Sequence, residues 1–163
     1  MKLKKITSTI LILGITSVIS ISHSFADSDV SQTSEIQSRL QTSPAKYEYT
    51  SRTSNFDKNK LWKLKTLADR ANSQNSKSSY VSLASYLLGL GNMSVSANVL
   101  GGISYMIQSD LDAYGTLSYA FTQYRYLDTH PKVKTVRTRI PYKRFFNGNS
   151  MTPWYPHSKP YKV

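Results

Sequence analysis

The side chains able to move protons, attack a substrate or hold a metal are few in this 163-residue chain. Cysteine is absent, which removes disulfides, thiolate metal sites and cysteine nucleophiles together. Of the three histidines, His23 falls in an expected leader, His130 stands beside Pro131, and His157 lies among prolines. None belongs to a His-x-x-x-His pair or sits near two carboxylates, so the spacing of a zinc site is missing. Asp110 and Asp112 come closest to paired acids, yet their place at the end of a long uncharged stretch suits solvated punctuation better. Gly89-Leu90-Gly91 lacks a third glycine and a preceding strand, and no Gly-x-Ser-x-Gly elbow occurs. Asn92-Met93-Ser94 fits a glycosylation acceptor, a pattern too common to carry weight. With no acid, base, nucleophile or cofactor constellation, the expectation is a non-enzymatic protein without cofactor or metal.

Charge and aromatic content are more informative. Lys and Arg number 21 against 9 Asp and Glu, for a net charge of +12, and there are 12 tyrosines. Lys2, Lys4 and Lys5 precede the apolar run Ile6 to Ile21, and Ser24-Phe25-Ala26 presents small residues at a signal-peptidase site. Residues 1–26 therefore read as a signal peptide, leaving a secreted chain that begins at Asp27 with a net charge of +9. That charge is uneven: residues 124–163 hold nine basic side chains and the single acid Asp128. A secreted basic protein meets anionic lipid, wall polymer and acidic polysaccharide rather than nucleic acid.

The elements that must position these groups follow from periodicity. Residues 27–55 are polar and expected to be poorly ordered, apart from a short edge strand over Lys46-Tyr47-Glu48-Tyr49-Thr50. From Asp57, Leu61, Leu64, Ala68 and Ala71 fall on one helical face, with five basic residues and Trp62 around them. Such a helix packs on a core, or lies in a membrane interface with Trp62 at headgroup depth. Ser78 to Ser109 contains no charged residue over 32 positions, and its two apolar blocks flank Gly91-Asn92. The spacing predicts a helical hairpin buried either in the protein or in lipid. Alternation of Leu117, Tyr119 and Phe121, and then of Val136, Thr138, Ile140 and Tyr142, predicts a β-hairpin over 116–145 with one basic face. Thr152 to Val163 reads as an extended aromatic and proline tail.

The expected fold is thus α+β: an amphipathic helix and an apolar helical hairpin packed with a C-terminal antiparallel β-hairpin. One domain spans 56–147, and the tail occupies 148–163. The Lys-rich leader, the polar segment, the glycine-interrupted block Leu87 to Met106 and the Tyr-rich basic stretch Tyr119 to Tyr142 come in an order that resembles small secreted cationic bacteriocin-like proteins of low-GC Gram-positive bacteria. That resemblance implies a cationic surface that meets a target envelope and a hydrophobic hairpin that enters it.

Two functions follow. One is a membrane-active antimicrobial protein whose lipid contacts are Trp62, Leu88, Leu100 and Trp154. The other is a non-catalytic module that binds anionic cell-wall polymer or extracellular polysaccharide through Arg137, Arg139, Lys143 and Arg144, with Tyr142 and Trp154 stacking on sugars.

Overall fold

The computed structural model describes residues 45–163, so the expected leader and most of the polar segment lie outside the described residues. The first element is strand β1, Lys46–Phe56, rich in Tyr and Thr as a half-covered pleat favours. It extends six residues beyond the short strand expected from sequence and ends on the fully buried Phe56. Asp57 then caps helix α1, Lys58–Gln74, by accepting the Lys60 amide at 2.8 Å. Leu61, Leu64, Ala68 and Ala71 form its buried stripe, as the spacing predicts.

The uncharged stretch becomes helix α2, Lys77–Leu90, and two short helices, α3, Ala97–Gly102, and α4, Ser104–Asp110. The first expected arm is thus one helix, while the second is broken at Gly102–Ile103. Leu88 is 1% exposed and Leu100 is fully buried, so both join the core rather than the surface.

Helix α5, Ala113–Thr129, replaces the first strand of the expected β-hairpin. Alternating Leu117, Tyr119 and Phe121 suggests period two, but the residues that α5 buries are Ala113, Gly115, Thr116, Ala120 and Leu127, and all but Gly115 are spaced as a helical stripe. Small side chains supply most of that stripe, so the large aromatics beside it carried the stronger pattern. The Asp112 side chain starts α5 by accepting the Gly115 amide at 2.7 Å. This is the capping role of Asp112, in place of any acid pair with Asp110.

Strand β2, Val136–Phe146, forms as the alternation of Val136, Thr138, Ile140 and Tyr142 demands, with all four buried. Its partner is not residues 116–126 but β1, antiparallel over eleven residues from Lys46↔Phe146 to Phe56↔Val136. On the other side of β2 run β3, Tyr155–Pro156, and β4, Tyr161–Lys162, paired as Lys143↔Tyr155 and Arg139↔Tyr161. The residues expected to form a free tail therefore close the sheet, with Tyr155, Pro156 and Pro160 buried. Proline is tolerated there because an edge needs few ladder amides. The architecture is α+β: five helices between the outer strand β1 and the central strand β2, with folded elements from Lys46 to Lys162.

The joint between helices and sheet is tight at Gly91. Tyr142, fully buried, donates its hydroxyl to the Leu87 carbonyl at 2.7 Å, and a Cβ at Gly91 would collide with that hydroxyl. Gly91→Ala should therefore lower stability by about 1–3 kcal/mol through overpacking. Urea unfolding of the variant checks this.

Candidate anionic-ligand surface

In an antiparallel pair, directly opposed side chains share a face. The register therefore places Tyr47, Tyr49, Ser51, Thr53 and Asn55 of β1 beside Phe145, Lys143, Pro141, Arg139 and Arg137 of β2. Tyr161 of β4 joins them opposite Arg139. Tyr47 is 46%, Tyr49 65% and Tyr161 44% exposed, and Arg137 and Arg139 are exposed as well. The helices pack mainly on the opposite side of β2; at the Lys143 level Asp110 of α4 reaches this face and covers Lys143 and Tyr155.

This face has an aromatic end and a cationic end. At the first, the Tyr47 and Phe145 rings lie 5.0 Å apart and Tyr49 meets His157 edge-on at 5.4 Å. Burial, with the Lys143 charge second, pulls the His157 pKa below its usual value, so at neutral pH His157 adds no charge. At the second, Arg137 and Arg139 make no ion pair among the described residues. Thr53 and Asn55 opposite them add small polar groups that leave the guanidinium donors accessible.

The other two cations expected in the site are engaged within the fold. Lys143 Nζ lies 2.8 Å from Asp110 Oδ2, with only 12% of its side chain exposed, and the Tyr155 hydroxyl donates to the same oxygen at 3.0 Å. The ammonium also sits 4.5 Å from the Tyr47 ring centroid. Arg144 points to the opposite face, where Nη2 and Nε reach Glu48 Oε2 at 2.7 and 2.8 Å. That hydrogen bonding holds the Glu48 carboxyl below the usual range. The Arg144 guanidinium also lies 4.5 Å from the Trp154 ring, so Trp154 is half-buried against it. Tyr142 is enclosed and offers no stacking surface, whereas Trp62 is 53% exposed on α1.

Of the four cations expected there from the sequence, Arg137 and Arg139 stand exposed on this face; Tyr161, opposite Arg139, and Tyr47 and Tyr49, toward the other end, were not singled out as part of it. The Tyr-x-Tyr alternation was visible, but its partner lies some ninety residues away.

Two surface depressions lie near these elements. One of 520 Å³ is lined by Ser51, Arg52, Thr53, Gly91 and Asn92. In another, of 380 Å³, Asp57 is occupied as the α1 cap and Asp128 is paired with Lys58. Among the described residues no three His, Asp or Glu gather as metal ligands, and no helix is long and apolar enough to cross a membrane.

The buried hydroxyls have a pH consequence. Burial raises the pKa values of Tyr142 and Tyr155, the latter also through Asp110, and pushes Tyr86 up to about 12. The unfolded chain ionises these groups near their ordinary value of 10.0 while the fold keeps them neutral. Stability should therefore be intact below about pH 10 and fall as pH rises above it. Circular dichroism and tyrosinate absorbance followed together should show these tyrosines ionising only as the fold is lost.

The sequence matches no protein-family model, no curated protein and no solved structure.

Proposed function

We propose that this is a secreted, non-catalytic module that binds an anionic polymer of the cell envelope or extracellular matrix through the open face of its sheet. The observation that carries the reading is a single sheet face with exposed Tyr47 and Tyr49 toward one end and, toward the other, exposed Arg137 and Arg139, which make no ion pair among the described residues, with Tyr161 opposite Arg139. Guanidinium forks suit phosphate and carboxylate groups, and tyrosine faces suit the apolar sides of sugar rings. The same pairing of ring and cation also serves single-stranded nucleic acid, which makes an oligonucleotide a useful competing ligand.

The reading is tested by retention of the protein on poly(glycerol phosphate), uncharged dextran and single-stranded DNA across a salt series. Retention on the first, lost as salt rises, is the expected result. Equal retention on dextran would remove the electrostatic basis, and preference for DNA would change the ligand class.

Export is part of the proposal and rests on Lys2, Lys4, Lys5 and the Ser24-Phe25-Ala26 site. Mass spectrometry of culture supernatant should find a chain starting at Asp27; retention of residues 1–26 would contradict export by cleavage.

The membrane-active reading through the apolar segment is the alternative. It requires Leu88 and Leu100 to leave a core in which they are enclosed, and release of dye from anionic vesicles by the folded protein is its test.

A further inference from the structure

Helices α1 and α5 lie side by side with Trp62 against Tyr124, ring centroids 5.5 Å apart, and Lys58 bridged to Asp128. Their outward sides form one surface that carries large rings in water: Trp62 is 53%, Phe121 45% and Tyr114 70% exposed. Cations accompany three rings of this surface. Lys65 Nζ is 5.0 Å from the Trp62 ring, the Arg125 guanidinium 5.7 Å from Phe121, and Lys58 Nζ 5.7 Å from Tyr124. Across the two helices six basic residues face two acids, Asp69 and Asp128, and Asp128 is occupied by Lys58.

The geometry points to a second binding surface, the α1/α5 face, that docks in the plane of an anionic phospholipid bilayer. The occupant follows from charge complementarity combined with the rings. A linear polymer strand engages a single row of rings and cations, whereas Trp62 with Lys65 and Phe121 with Arg125 stand on two separate helices. A bilayer interface takes both, with aromatic rings at headgroup depth and ammonium or guanidinium groups on phosphate oxygens. The contact is shallow, because Leu61, Leu64 and Ala120 stay in the core while only the outward residues meet lipid. It uses other elements than the sheet face, so either surface can fail without the other.

The test is co-sedimentation of the secreted chain with vesicles of phosphatidylglycerol and phosphatidylcholine in equal parts, compared with phosphatidylcholine alone. Trp62→Ser/Phe121→Ser should lower partitioning onto the anionic vesicles roughly tenfold while retention on poly(glycerol phosphate) stays at the parental value. With Trp154→Phe, which leaves Trp62 as the sole tryptophan, emission should shift to the blue when anionic vesicles are added. Should the double variant fail to fold, Lys65→Gln/Arg125→Gln removes charge from the surface alone and must lose partitioning by a similar factor. Parental partitioning by either folded variant, equal binding to phosphatidylcholine vesicles, or unshifted Trp62 emission would overturn the inference.

Discussion

Leu88→Asp and Leu100→Asp should each unfold the protein. The two leucines lie in the middle of the uncharged stretch, 1% and 0% exposed. A carboxylate at either place finds no cation in the core cluster of Leu, Ile, Val, Ala, Phe, Met and Tyr side chains. Leu→Ala in such a core costs about 2–5 kcal/mol through lost contacts and a cavity. A buried unpaired charge adds several kcal/mol more, against a total stability of about 5–15 kcal/mol for a domain. Circular dichroism and thermal melts should show no cooperative transition for either variant. A folded Leu88→Asp protein would mean that residues 78–109 are held loosely, and would favour delivery of that segment to lipid over its role as core.

The second large effect falls on binding and spares the fold. Arg137→Ser/Arg139→Ser removes two exposed guanidinium groups that pair with no acid among the described residues, so stability should change by less than about 0.5 kcal/mol. Retention on poly(glycerol phosphate) should fall roughly thirtyfold or more, since each charge-assisted hydrogen bond contributes about 1.5–3 kcal/mol. Lys143→Ser should behave differently. Its ammonium holds Asp110 beneath Tyr155, so the loss appears first in stability. If Lys143→Ser spared stability and abolished retention while the arginine pair did not matter, the cationic end of the face would have been misassigned.

How much of this was legible in the sequence depends on the distance between partners. Helix α1 was legible because Leu61, Leu64, Ala68 and Ala71 sit within three turns of one another and Asp57 precedes them. The strand over Val136–Phe146 was legible because its four buried residues alternate strictly. Its partner was not, since β1 pairs with it across the whole helical layer and local pattern carries no record of such a contact. Residues 117–121 misled because β-favouring aromatics alternate there, while Ala113, Thr116 and Ala120 do the packing; strand preference is a property of context.

The candidate site divides in the same way. Charge alone could not separate Arg137 and Arg139 from Lys143 and Arg144, because the acids that occupy the latter pair, Asp110 and Glu48, come from distant elements. Tyr142 and Trp154 were credible stacking residues by type. The fold encloses the first against Leu87 and sets the second against Arg144.

Nuclear magnetic resonance of the chain from Asp27 onward, titrated with poly(glycerol phosphate), tests most directly whether the open side of the sheet, rather than the apolar segment, binds an anionic polymer. Shift changes gathered on Tyr47, Tyr49, Arg137, Arg139 and Tyr161, with the amides of α2 and α3 unmoved, are the expected result. Changes centred on Leu88 and Leu100, or none on β1 and β2 at saturating polymer, would contradict the account.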